Sequence, residues 1–138
     1  MSGGGENRPR FTLRKQEILR EKRAFDALFA RPVYINCGAI RIFYARPSEE
    51  ITLGSHLSVA FSVPKRKIKS AATRNLIKRR MREAYRHHKQ PLINILEDKN
   101  ERLMLLILFN RRQPATYQEL ETSLSKGLQE LANKLSHG

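Results

Sequence analysis

Apolar residues recur along the chain in two different periods, and the switches between them predict seven elements. Residues 15–29 carry Ile18, Phe25, Leu28 and Phe29 on one side at helical spacing among good helix formers, which predicts a first helix ended by Pro32. Two β-rich runs follow, residues 33–37 and 40–45, parted by Gly38 and closed by Pro47; they read as paired strands. After a polar loop, residues 56–63 alternate cleanly. Leu57, Val59, Phe61 and Val63 fall on one face and His56, Ser58, Ala60 and Ser62 on the other, the pattern of a half-buried strand. Beyond Pro64, Ser70 stands where it can N-cap a second helix running to about His88. The unbroken apolar run 103–109 predicts a strand covered on both sides or central in its sheet. A last helix begins near Tyr117 and aligns Tyr117, Leu120, Leu124, Leu128, Leu131 and Leu135 in one stripe, with Gly127 costing about 1 kcal/mol relative to Ala. The order is helix, three strands, helix, strand, helix, without internal repeats. Residues 91–102 fit either an extension of the second helix or a separate short one.

Composition narrows the class. A chain of 138 residues, 40% hydrophobic, is sized for one domain with its own core. Its longest uncharged apolar run, residues 103–109, falls far short of the roughly 20 residues that span a bilayer. Residues 1–10 are Gly-rich and charged with no apolar stretch, so they read as a flexible leader rather than a signal peptide, ahead of a single domain over residues 11–138; the expected compartment is the cytoplasm. A single cysteine, Cys37, excludes an internal disulfide and is expected as a buried thiol, a small hydrophobe in a strand.

Charge changes the picture most. With 27 Lys and Arg against 13 Asp and Glu the chain carries a formal +14, which points to a long polyanion rather than a small acidic substrate. Residues 65–89 hold eleven cations and one acid, Glu83, so +10 of the total lies there. Within the second helix Arg74, Lys78, Arg82 and Arg86 follow at four-residue intervals as one ridge, with Asn75 and Arg79 beside it, while Ile77, Met81, Ala84, Tyr85 and His88 fall on another side. Like charges four apart destabilise a free helix by a few tenths of a kcal/mol per pair, so a merely solvated helix would mix its signs. A membrane-surface or calmodulin-target helix would present larger apolar anchors than Ala84 and His88. Nucleic-acid phosphate suits the ridge best.

The central segment Ser62-Val63-Pro64-Lys65-Arg66, followed by Arg74-Asn75-Leu76-Ile77-Lys78-Arg79-Arg80-Met81-Arg82-Glu83-Ala84-Tyr85-Arg86, resembles the signature of the protein subunit of bacterial ribonuclease P. The flanks agree: Phe25 and Phe29 match an aromatic pair in the family's N-terminal segment, and Tyr117, Glu119, Leu120 and Leu124 match the start of its last helix, so the resemblance spans about residues 11–135. Two departures stand out. Leu76 replaces the third residue of an Arg-Asn-Arg triplet, with Arg79 or Arg80 near enough to supply the missing charge, and Lys69-Ser70 replaces a Gly-Asn before the helix.

The resemblance implies an α+β fold, an α-β-β-β-α-β-α two-layer sandwich with a four-stranded sheet and a left-handed βαβ crossover, similar to the second domain of a small-subunit ribosomal protein. It implies a catalytic RNA subunit that uses Mg, bound mainly by the RNA and the substrate, to cleave the 5′ leader from precursor tRNA. Lys65, Arg66, Arg74, Asn75, Lys78, Arg79, Arg82 and Arg86 are then expected on the RNA subunit. Phe25, Phe29 and Tyr44 are expected in the leader-binding cleft, where aromatic faces stack on bases; core packing is the alternative role for these rings. Phe61 and Tyr85 are assigned to the core. No catalytic or metal-ligating residue is assigned: Asp26, Glu83 and Asp98 lie in unrelated segments, and His87 and His88 point about 100° apart and are expected to face RNA. A ribosomal or other structural RNA-binding protein is the alternative function; a stand-alone nuclease is disfavoured by the scattered acids and a DNA regulator by the lack of a helix-turn-helix pair.

Overall fold

The computed structural model of the chain describes residues 12–137; the expected leader over residues 1–10, and Phe11, lie outside the described residues. Four strands, β1 (Tyr34–Cys37), β2 (Ile40–Ala45), β3 (Leu57–Ser62) and β4 (Leu103–Phe109), form one sheet in the order β1-β2-β4-β3. β1 and β2 make an antiparallel hairpin whose turn carries Gly38 at φ 56°, a left-handed conformation that favours glycine. β4 pairs antiparallel with β2 and parallel with β3, so a crossover must join β3 to β4. It consists of α2 (Ala71–His88) and α3 (Gln90–Lys99). α1 (Lys22–Ala30) precedes the sheet and α4 (Tyr117–His137) follows it. The expected α+β sandwich stands, with α3 and a short 3-10 turn added to the element order.

Local chemistry explains most boundaries. Ser70 Oγ accepts the Thr73 N–H at 3.2 Å, capping α2 as its position predicts. At α4 the cap is reciprocal: Thr116 Oγ1 accepts from Glu119 N at 3.1 Å and Glu119 Oε1 accepts from Thr116 N at 2.9 Å. That backbone N–H, and then Arg111, hold the Glu119 carboxyl below its ordinary pKa. The open question over residues 91–102 resolves as a separate helix. Pro91 sits in its first turn, and Asn100, at φ 52°, ends it while Glu101 N donates to Leu96 O at 2.8 Å.

The first helix is shorter than its apolar spacing predicts. Residues Lys15–Glu17 form one 3-10 turn, and the chain then extends: Ile18 bridges in parallel to Val59, and Leu19 N–H donates to Val59 O at 2.8 Å. The outer edge of β3 offers free carbonyls, and pairing with this segment covers them. Ile18 is therefore an edge residue and not part of α1.

The two sheet faces are covered unequally. α2, α3 and α4 bury one face around Ile40, Ile42, Leu57, Val59, Leu103, Leu105, Ile107 and Phe109. Phe61 meets Tyr85 edge-on at 5.6 Å on this side, so both rings are packing residues as expected. Gly127 lets α4 come close: a Cβ there would stand 2.7 Å from Ile42 Cδ1. Cys37 is half-buried beside this core, and burial raises its thiol pKa. The opposite face carries α1, Leu19 and the β2–β3 loop residues Ile51 and Leu53, which cover Phe43, Met104 and Leu106. One nine-residue helix cannot shield a four-stranded sheet, so the β1–β2 side of this face stays open.

Candidate functional site

Strand register builds the open face row by row. Tyr34, Phe43, Leu106 and Ala60 are successive cross-strand partners, and Asn36, Arg41, Leu108 and Ser62 form the next row toward one end of the sheet. Phe29 reaches over from α1 and meets Phe43 edge-on at 5.4 Å, and Tyr34 meets the same ring at 5.3 Å. Both outer rings are accessible, Phe29 at 52% and Tyr34 at 43%, which is unusual for large apolar side chains. The Arg41 guanidinium lies 4.3 Å from the Tyr34 ring centre while its Nε donates to Asn36 Oδ1 at 2.7 Å. The result is a patch with two exposed aromatic rings seated on a buried one and a cation fixed beside them.

Alternation corrects one expected site residue. Ile40, Ile42 and Tyr44 share the helix-covered face of β2, so Tyr44 packs against that core, across the sheet from Phe25 and Phe29. The aromatic residue that β2 does send toward α1 is Phe43. Phe25 is half-buried against the α1 core, and Phe29 stands exposed at the edge of this patch.

The cation-rich segment is also less uniform than its composition suggests. Lys89 is fully buried at the α2–α3 junction, its Nζ 2.6 Å from Glu17 Oε1, so it does not belong to any surface. Arg80 Nη1 donates to Ala115 O at 2.8 Å, tying α2 to the loop before α4; it therefore does not supply the charge missing at Leu76, and Arg79, which is exposed, is the neighbour that remains. Arg74 Nη1 donates to the carbonyl oxygens of Ile68 and Lys69 at 3.0 and 2.7 Å, which braces the loop carrying Lys65 and Arg66. Arg86 pairs with Glu83 at 3.1 Å. Lys65, Arg66, Lys78, Arg79 and Arg82 make no ion pair among the described residues, and Asn75 is exposed at the start of the ridge. Five cations without an ion pair, with Glu83 the acid among them on α2, create a positive field that favours an external anion.

His87 and His88 separate as the helix spacing requires: His87 lies 3.2 Å from Glu83 and His88 3.3 Å from Glu121 on α4. Among the described residues no three His, Cys, Asp or Glu come together as a metal-binding group.

Two sets of cations escaped the sequence reading. Because β3 and β4 are parallel, Lys65 and Arg66 after β3 emerge at the same end of the sheet as Arg111 and Arg112 after β4, and Arg112 is exposed there. Lys15 and Arg20 join Arg79, Arg82 and Arg86 around a groove of about 540 Å³. Neither pairing has a local signal, because each depends on strand order or on the path of residues 13–20. No described helix is long and apolar enough to cross a membrane.

Comparison with known proteins agrees with this architecture. The family model described as Ribonuclease P matches residues 13–132. A ribonuclease P protein component from Chlorobium phaeobacteroides is 35% identical over 88 residues, 63% of this chain and 60% of that protein, so the match spans less than two-thirds of that relative's length. One from Porphyromonas gingivalis is 25% identical over 127 residues, 92% of this chain and 91% of that protein. Two structures of the Staphylococcus aureus RNase P protein share the fold. One is 18% identical with a TM-score of 0.63, covering 83% of this chain and 94% of that one. The other is 21% identical with a TM-score of 0.57, covering 88% and 92%.

Proposed function

This chain belongs to the ribonuclease P protein family, and from that membership we propose that it is the protein subunit of a ribonuclease P holoenzyme that binds the catalytic RNA subunit and the 5′ leader of precursor tRNA. The observation that carries the reading is the division of labour between the two sides of the sheet. Cations that mostly make no ion pair crowd the exposed side of α2, on the helical side of the sheet, whereas two accessible aromatic rings, Phe29 and Tyr34, lie beside α1 on the other. A phosphate-rich folded RNA suits the first, and a single strand with unstacked bases suits the second.

In this reading Lys65, Arg66, Lys78, Arg79 and Arg82 neutralise phosphates of the RNA subunit, Arg74 keeps their loop in shape, and Asn75 and Arg86 border the contact. Phe29 and Tyr34, packed on the buried Phe43 ring, offer their exposed ring faces to leader bases, with Arg41 beside them for the backbone. Arg111 and Arg112, with Lys65 and Arg66, stand at the sheet end where a strand leaving the patch would pass. The protein contributes binding and orientation, which lower the entropic barrier to cleavage by the RNA. Magnesium belongs to the RNA subunit and the substrate. No step is assigned to a metal ion on the protein. The expected setting is the cytoplasm.

Reconstitution tests the proposal. Protein, candidate RNA subunit, magnesium and a precursor tRNA at physiological salt should release the 5′ leader, with RNA alone slow and protein alone inactive. If about six phosphates are contacted, log K for the RNA subunit should fall with log salt at a slope near −4. A salt-independent affinity would rule out the phosphate-contacting arrangement, and no gain in cleavage over RNA alone would leave a structural RNA-binding protein as the better description.

A further inference from the structure

Residues 13–20 form a strap around the outer edge of β3. At one end Leu13 packs against the core under α2, and the Thr12 carbonyl oxygen accepts a 2.6 Å bond from Lys89 Nζ; at the other, Leu19 enters the core under α1. Between them Glu17 is held twice: Oε1 by Lys89 Nζ at 2.6 Å and Oε2 by the Arg14 N–H at 2.8 Å. The two side chains of this pair are only 9% and 1% exposed. On its other side the strap is closed off by Gly54, where a Cβ would stand 2.7 Å from Gln16 O. Apolar side chains of similar volume often stabilise a protein as well as a buried ion pair does. What the pair adds is a single permitted docking position for the strap.

That position has a consequence on the strap's outer side. Lys15 and Arg20 are set opposite Arg79, Arg82 and Arg86 of α2 across the groove of about 540 Å³. The acid in its lining, Glu83, is already bonded to Arg86 and His87. Lys15, Arg20, Arg79 and Arg82 make no ion pair among the described residues. Cations from two separate elements are thus held together at a cost in repulsion that a polyanion would remove.

Resting on the function proposed above, we propose that the strap is part of the face that docks the RNA subunit: Lys15 and Arg20 contact phosphates of the same RNA that α2 binds, and the Glu17–Lys89 pair is the positioning element that keeps them there. The occupant is the RNA subunit and not the leader, because the groove continues the α2 ridge while the aromatic patch lies on the other face of the sheet.

The test uses the full-length protein and the RNA subunit, with dissociation constants measured across a salt series. Lys15→Ala/Arg20→Ala should reduce the slope of log K against log salt by about 1.4–1.8 and weaken binding about 15–30-fold at 0.15 M salt. Glu17→Leu/Lys89→Met, which removes both charges of the pair, should give a similar reduction, and adding Lys15→Ala/Arg20→Ala to it should change little more. Gly54→Ala displaces the strap by an independent route and should act the same way if the pair variant does not fold. Lys78→Ala/Arg82→Ala serves as the reference on α2. An unchanged slope for Lys15→Ala/Arg20→Ala alongside a reduced slope for the reference overturns the inference and leaves the proposed function standing. An unchanged slope for both overturns the proposed function. A folded pair variant with the parent slope overturns the positioning role alone.

Discussion

Replacing Phe29 by Leu separates base stacking from packing at the edge of the aromatic patch. About half of the Phe29 side chain is covered, and its ring touches Phe43 edge-on at 5.4 Å, so the residue has both a structural and an exposed half. Leu keeps most of the apolar contact and loses one aromatic edge interaction, about 0.5–1.5 kcal/mol of stability. It also removes the flat ring face. A stacked base contributes about 1–3 kcal/mol, so a precursor tRNA should bind the variant holoenzyme roughly 5- to 150-fold more weakly if Phe29 holds one leader base.

The assay is the ratio of dissociation constants for precursor tRNA and leaderless mature tRNA, measured on the reconstituted holoenzyme at fixed salt and magnesium. Phe29→Leu should collapse that ratio and leave mature tRNA and RNA-subunit binding unchanged. Tyr44→Leu is the matched control. Its ring packs on the helix-covered face, so the ratio should be preserved despite a loss of packing. An unchanged ratio for Phe29→Leu would refute stacking at this position, and a ratio lost only in Tyr44→Leu would put the leader on the other side of the sheet.

Three further outcomes follow from packing. The Tyr85 hydroxyl is buried with no hydrogen-bond partner among the described residues, so Tyr85→Phe should stabilise the protein by about 1–2 kcal/mol in urea unfolding at neutral pH. Burial, and then the Glu17 charge, raise the Tyr85 phenol well above its ordinary pKa of 10.0. The folded form therefore stays neutral where the unfolded chain ionises: the contribution is intact below about pH 10 and falls above it by up to about 1.4 kcal/mol per pH unit, a slope that Tyr85→Phe should lack. Lys89→Met leaves Glu17 buried and unpaired and should cost about 3–5 kcal/mol, most of which Glu17→Leu/Lys89→Met should restore; an equal loss in both would show that the charges are not the cause. Gly127→Ala improves helix propensity by about 1 kcal/mol yet drives a methyl toward Ile42 Cδ1, so thermal unfolding should show a net loss that Ile42→Val, which removes that atom, partly relieves.

The legible parts of the fold are those with a local cause. β4 was readable because seven consecutive apolar residues can only be buried on both faces, and α4 because its leucines repeat at helical spacing. The start of α1 was not, since the apolar spacing runs on through Ile18 while the actual partner of that residue is the edge of β3, about forty positions away. Tyr44 and Phe43 show the same limit in the site. β2 is apolar in both phases over residues 42–44, so alternation fixes that the two rings oppose each other but not which one faces α1. Only the packing of α1 decides it.

Charge behaves likewise. The local excess in residues 65–89 correctly marks a basic surface, but sequence position does not say where each donor points. Lys89 turns inward to Glu17, and Arg74 and Arg80 bond to carbonyl oxygens of their own fold. The inward turn of Lys89 has a compensating effect: the pair it makes holds the strap on which Lys15 and Arg20 rejoin Arg79, Arg82 and Arg86. The basic face therefore keeps its strength while changing its membership, with one cation withdrawn into the core and two supplied by a segment that no run of charge identifies. A count of charges predicts the partner class; the buried pair determines which residues meet it.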